Sequence, residues 1–436
     1  MPDLMGKRML RALPAAGLAA LLAACAAQGE LEPRHAPSGL RMPLPQADFA
    51  TYVKQAKAQI AAANRAIGKE LAPEVIEDRA PFELAPDPGR CPRNAAGRHE
   101  RAVLLVHDLG DTPYAMRDLG ARFAAACYLT RAILLPGHGT VPGDLLEIGY
   151  EDWTEATRLG ALSFADEAEK LYLVGFSAGG TLALDHALGE QRASEPVLGG
   201  LVLLAPAIAT RSGFGLFARS FLASGALMPA DGFAQLLPDE DPVRYASIAR
   251  NAEVQLDALI DRLEERQRLL ELPVFMALSA NDDVIDPEAA RRWFCRQPIG
   301  PRALIWYAPG GTPLDDCRFA VVRASDPWPG ILDLAHPALP VAPDDRHYGA
   351  AGDYVDCSHY YWETDTPNWL LCLDPDKTPA NSAIRYGEIS EQNLAAHVMR
   401  RLTYNPDFDA LVSEILAFID RLPSSSPPLP RTKPAR

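Results

Sequence analysis

Several features are missing from this chain of 436 residues, and each absence closes off a class of function. No internal repeat occurs, which excludes a solenoid or propeller built from stacked units. No phosphate-binding loop occurs either. The seven cysteines form no C-x-x-C pair and no cluster with histidine, so a zinc site is not expected. Positive charge is scarce. Lysine and arginine total 42 against 57 aspartates and glutamates, a net charge of −15 that suits neither nucleic acid nor an anionic surface as an electrostatic partner. Solubility is the plain reading of that acidity. The longest apolar stretch near the start, Ala12 to Ala24, is too short for a comfortable membrane span.

What is present is the composition of an ordinary globular chain, 48% hydrophobic and 23% charged, long enough for one large α/β domain with insertions or for two domains. Proline is high, 39 residues, and the excess sits largely in residues 33–93, 305–345 and the tail, which predicts long irregular connections there. The most informative stretch is LYLVGFSAGG, Leu171 to Gly180. Leu171 to Val174 is an unbroken apolar run, as for a strand buried on both faces. Gly175-Phe176-Ser177-Ala178-Gly179 follows at once, and Thr181 to Leu188 reads as a helix. A strand turning straight into a helix around G-x-S-x-G is a nucleophile elbow, which projects a serine hydroxyl from a strained turn. Gly175 and Gly179 are then steric necessities, and the Ala178 amide at the helix N-terminus can face a developing oxyanion. The plainer alternative is a serine that merely caps the helix.

Lys7, Arg8 and Arg11 precede the apolar stretch, which makes residues 1–24 a secretory signal. Leu22-Ala23-Ala24-Cys25 resembles a bacterial lipobox, which implies lipidation of Cys25 and an exported, membrane-anchored lipoprotein; cleavage near Ala27 is the alternative. Residues 25–48 then form a tether, 49–422 the folded domain, and the Ser/Pro-rich 423–436 a disordered tail. In an oxidising compartment the remaining six cysteines are expected to pair. Of the possible connectivities, the nearest-neighbour set Cys91–Cys127, Cys295–Cys317 and Cys357–Cys372 is adopted.

Helical spacing of Tyr52, Val53, Ala56, Ile60 and Ala63 predicts a helix over 49–67, followed by loop over 72–100. Strands are expected at 102–106, 131–135, 201–205, 273–280 and, as the last core strand, 302–308. Helices are expected at 116–126, from Tyr150 onward with Asp152 near its start, at 252–272, 288–295, 384–402 and 406–421. The histidines His107 and His138 sit in loops ahead of the serine and read as structural. Together LLVHDLGDTP, LLPGHGTVPGDL, the Asp152-Trp153 pair and LYLVGFSAGG resemble the monoacylglycerol-lipase and carboxylesterase branch of α/β-hydrolases, which overlaps the serine aminopeptidase group. The resemblance spans about residues 100–290. It implies a mostly parallel central sheet flanked by helices, a helical lid at about 210–270, a second oxyanion amide at Leu109, and ester hydrolysis without a cofactor. Asp108 departs from the pattern, since glycine is usual after the histidine.

An acid and a base complete the expectation. In this fold the acid follows the strand at 273–280, where Asp282, Asp283 and Asp286 compete. Asp286 before Pro287 reads as a helix N-cap, and Asp282 is taken as the acid. A Pro- and Cys-rich insert occupies about 309–383. Beyond the acid lie His336, His347, His359 and His397; the last falls in the helical run expected over 394–402. His336 follows an apolar run and precedes Pro337, so it is taken as the base over His347 and His359. The expected activity is hydrolysis of small ester or lipid substrates by Ser177, Asp282 and His336. The rivals are an amidase or peptidase on the same triad and a surface protein that keeps the fold without catalysis.

Overall fold

The computed structural model describes residues 31–423 apart from 190–196, 210–231, 234–235, 239–240, 267–269, 298–299, 312, 315–316, 318, 364–366 and 374–383. Cys25, the expected signal, about half of the expected lid (210–231 above all) and nearly all of the expected tail therefore lie outside the described residues. Strands β1 (Phe82–Leu84), β2 (His99–Val106), β3 (Tyr128–Ile133), β4 (Ala168–Phe176), β5 (Val197–Leu204), β6 (Val274–Ser279), β7 (Arg302–Ala308) and β8 (Ala320–Ala324) form one sheet. Their order is β1-β3-β2-β4-β5-β6-β7-β8, with β1 antiparallel to β3 and every other neighbour parallel. Parallel strands need both faces covered, and the apolar runs supply that: β6 is buried throughout, β4 from Leu171 on, β2 from Ala102 on. Register aligns the carboxyl ends, pairing Val106 with Gly175, Gly175 with Leu203 and Leu204 with Ala277. The loops that leave these strands therefore issue at one edge of the sheet.

Helices pack on the sheet faces. Helix α1 (Phe49–Ala66) buries Phe49, Tyr52, Ala56, Ile60 and Ala63, and the Asp48 carboxylate caps it by accepting the Thr51 N–H. Helices α3 (Arg117–Ala125), α4 (Tyr150–Leu162) and α5 (Ala178–Leu188) follow β2, β3 and β4. Asp152 accepts the Gly149 N–H at 3.1 Å and so fixes the start of α4. Of the expected lid, helix α6 (Arg250–Arg266) is described, and it turns Ala252, Leu256, Leu259 and Ile260 inward. Helix α7 (Pro287–Arg296) starts at Asp286, whose carboxylate accepts the Ala289 N–H.

Four expectations are corrected. Residues 72–100 are not simply loop, because Pro73–Arg79 forms helix α2 and Phe82–Leu84 adds the antiparallel edge strand. The third strand lies at 128–133 rather than 131–135. Tyr128, Thr130 and the salt-bridged Arg131 are buried in it as fully as its apolar residues. Residues 302–308 are not the last strand of the sheet, since β8 adds beside β7. Nor is 384–402 one helix: β9 (Arg385–Gly387) and β10 (Met399–Arg401) pair in parallel on either side of a short helix, α9 (Glu391–Ala396). His397 accordingly ends that helix instead of sitting inside it. Helix α8 (Pro367–Leu373) lies in the insert, and α10 (Phe408–Asp420) closes the fold on an apolar face, as expected. The three disulfides are Cys91–Cys127, Cys295–Cys317 and Cys357–Cys372, the pairs expected.

Candidate active site

Ser177 stands between β4 and α5 with φ 51° and ψ −115°, a left-handed conformation that a non-glycine residue adopts only under constraint. The constraint is visible. Its N–H donates to the Leu204 carbonyl at 2.9 Å, and its own carbonyl accepts from Gly180 and Ala207. A Cβ at Gly179 would run into the Val106 backbone, and one at Gly175 into the backbone of Gly179. The Ser177 side chain makes no capping hydrogen bond to the helix, which disposes of the capping alternative.

Two loops from the far half of the sheet meet this turn. Asp282, after β6, is fully buried; its Oδ1 accepts the N–H groups of Val284 and Ile285 at 2.9 and 3.0 Å. Its Oδ2 lies 2.6 Å from Nδ1 of His336, also fully buried, so the ring donates there and turns Nε2 toward the serine turn. The Phe176 ring packs against the imidazole at 5.0 Å between centroids. Nε2 has no hydrogen-bond partner among the described residues. Asp283 is exposed, and Asp286 is engaged as a cap. The other histidines are held elsewhere: His347 bonds Asp353 and Asp241 at 2.5 and 3.2 Å, and His359 packs on Tyr360. His107 accepts the Leu135 N–H on Nε2 and donates from Nδ1 to the Asp108 carbonyl; burial pushes its pKa down to about 3. His138 donates to the Pro136 carbonyl, and burial takes it down to about 4. Both are neutral structural residues, as the sequence suggests.

The loop after β2 brings a group that sequence reasoning missed. Leu109 presents a backbone N–H with no backbone partner among the described residues, as an oxyanion donor requires. The Ala178 N–H, however, donates to Oδ1 of Asp108 at 3.2 Å. Oδ2 of the same buried carboxylate lies 3.8 Å from His336 Nε2, and the carboxylate also interacts with the Ser177 hydroxyl. Burial pushes the Asp108 pKa up, but His336, Arg244 and the Ser177 hydroxyl outweigh it and bring the group to about 2. For His336, burial works against the charged ring, while Asp282 and Asp108 favour it and raise the pKa to about 9. The only sequence signal for this carboxylate was the replacement of a usual glycine.

A second layer holds the histidine from the chain beyond β8. Glu388, fully buried, accepts the His336 backbone N–H on Oε2 at 2.8 Å and takes the Arg401 guanidinium on Oε1 at 2.7 and 2.9 Å. The Glu388 N–H donates to Asp333 Oδ1 at 2.6 Å, and Asn281 and Asn393 donate to Asp333 Oδ2. Among the described residues no group of three or more His, Cys, Asp or Glu could hold a metal ion.

Residues 97–310 match the family described as serine aminopeptidase, S33. A thermostable monoacylglycerol lipase of Bacillus sp. (strain H-257) is 28% identical over 188 residues, 42% of this chain and 72% of that one. A carboxylesterase of Bacillus subtilis (strain 168) is 24% identical over 219 residues, 49% of this chain and 84% of that one. Among solved structures, a Paleococcus ferrophilus monoacylglycerol lipase aligns at 20% identity with a TM-score of 0.40, over 52% of this chain and 88% of its own. By sheet order, elbow and family match alike, the chain is a lipase- and esterase-like α/β-hydrolase of the branch that holds monoacylglycerol lipases, carboxylesterases and the serine aminopeptidase S33 group.

Proposed function

We propose that the protein hydrolyses carboxylic esters, of short to medium acyl chain or monoglyceride type, through an acyl-enzyme on Ser177. One observation carries the reading above the others. A buried imidazole is oriented by a buried carboxylate at 2.6 Å, beside a serine held at positive φ on a strand–helix turn. In the productive complex His336 Nε2 takes the Ser177 proton as Oγ attacks the ester carbonyl. The oxyanion accepts the N–H groups of Leu109 and Ala178, His336 returns its proton to the leaving alkoxide, and water, activated by the same ring, releases the acid. Asp282 stays ionised and holds the ring in the tautomer that leaves Nε2 facing the serine. The site calls for no cofactor in these steps.

A fluorophosphonate probe should label the wild type on Ser177 and leave Ser177→Ala unlabelled, with nitrophenyl ester hydrolysis lost in the same variant. Labelling that survives Ser177→Ala would overturn the assignment. Esters should be cleaved far faster than the matching anilides, and equal rates would favour a peptidase. We further propose that Cys25 carries the lipid that tethers this domain to a membrane. Palmitate-analogue labelling should be lost in Cys25→Ala, and the protein should move to the soluble fraction.

A further inference from the structure

Asp108 stands where substrate chemistry should happen. Its Oδ1 takes the Ala178 N–H that an oxyanion would need, its Oδ2 faces His336 Nε2 at 3.8 Å, and the carboxylate interacts with the Ser177 hydroxyl. We propose that Asp108 is a rate-setting residue of the active site: its carboxylate occupies the oxyanion position and pairs with the His336 ring, so Ser177 acylates only after an ester carbonyl displaces it from the Ala178 amide. This inference rests on the ester-hydrolase reading above.

The physical consequences follow from charge. A carboxylate beside Nε2 favours the imidazolium, and an imidazolium cannot take the serine proton. The proton that must leave His336 before acylation goes to solvent or across to the carboxylate; no bond other than N–H and O–H changes in that step. Once displaced, an ionised Asp108 still lies close to the growing oxyanion, and like charges at that separation in a buried site repel strongly. The surrounding groups do not cancel this. His107 and His138 are neutral, Asp111 adds a further buried acid whose pKa burial lifts to about 7, and Arg244 is the permanent cation that acts on Asp108. The backbone is not the reason for an aspartate here, because residue 108 is not among the residues with positive φ. A small neutral residue would therefore fit the turn, and the carboxylate acts through its side chain.

The test uses the full-length protein with Asp108→Asn, which keeps the size and loses the charge, and Asp108→Gly, which empties the position. Both variants are assayed on a neutral nitrophenyl ester, each with Ser177→Ala as its control, and His336 is titrated by 15N NMR. A rise in kcat of at least tenfold in Asp108→Asn, with the His336 titration midpoint moved down by a pH unit or more, is expected. Asp108→Gly should also rise in rate. Ser177-dependent hydrolysis at wild-type rate and with an unmoved midpoint in both variants would refute the role of Asp108 and leave the esterase standing. Ser177-dependent hydrolysis absent from the wild type and from both folded variants would sink the esterase itself, and this inference with it.

Discussion

At the scale of single residues, His336, the proposed base, carries the sharpest prediction, because two carboxylates address its two nitrogens. Asp282 binds Nδ1 at 2.6 Å, Asp108 faces Nε2 at 3.8 Å, and together they raise the ring's pKa to about 9 against the opposing effect of burial. The sign is direct: a raised pKa keeps the ring protonated below that value, and only the neutral ring is a base. The rate of hydrolysis of a neutral ester should therefore climb from pH 6 toward about 9 rather than level off near 7, as a kcat/KM profile would show. A profile flat from pH 5 to 8 would remove His336 as the base. Replacing Asp282 by Asn should lower kcat by about 10³–10⁴, since the amide cannot hold the proper tautomer. It should also let the midpoint fall, because the charge that supports the imidazolium is gone. Asp108→Asn shifts the midpoint the same way while raising the rate, so the two substitutions separate orientation from inhibition.

At the scale of elements, the histidine loop depends on a piece of chain that lies far along the sequence. His336 opens a single 3-10 turn with Pro337 in its first positions, and its N–H is held by Glu388, just past β9. Arg401, at the end of β10, neutralises that glutamate. Glu388→Gln keeps an acceptor for the His336 N–H but strands Arg401, and should cost about 3 kcal/mol of stability. Glu388 being a positioning residue, the substitution should also lower kcat about tenfold at temperatures well below melting, with KM little changed, because a neutral amide holds the His336 N–H less firmly than the carboxylate does. Stability loss alone would leave kcat intact there. This layer was the least legible part of the sequence. The elbow was readable because strand, turn and helix are contiguous, and Asp282 because it directly follows an apolar strand. Glu388 had no local signal: its partners lie 52 residues before it and 13 after. The same non-locality misled the reading of 384–402, where apolar spacing suggested one helix. Instead Met399 pairs with Arg385 and Arg401 with Gly387, and strand pairing overrides the helical period. Asp108 was visible as an oddity of the loop, yet its meaning depends on the Ala178 amide and His336, which only the folded chain brings beside it.

At the scale of the whole molecule, the three disulfides divide the labour between sheet and site. Cys91–Cys127 ties the approach to β2 to the turn before β3, and Cys295–Cys317 ties the end of α7 to the chain entering β8. Cys357–Cys372 is different, because it clips the insert that carries His336 against the strand that presents the histidine's support. Cys372 packs beside Met399, the Arg400 guanidinium donates to the Cys372 carbonyl at 2.6 Å, and Arg401 bonds back to Asp356, next to Cys357. The bridge thus fixes β10, β10 presents Arg401, Arg401 holds Glu388, and Glu388 holds His336. A loop of 15 residues closed by a disulfide is worth about 3 kcal/mol through the chain entropy it removes from the open state. That contribution is local, since the insert can open without unpairing β2 to β7. Replacing both Cys357 and Cys372 by Ala should then lower the temperature at which activity is lost by several degrees. The main far-UV melting transition should move less. The matching removal of Cys91 and Cys127 should shift both transitions together, because that bridge staples the sheet itself. If the two losses coincide in the Cys357/Cys372 variant as well, the insert and the sheet melt as one unit and the chain of support from bridge to imidazole is not separable from the fold.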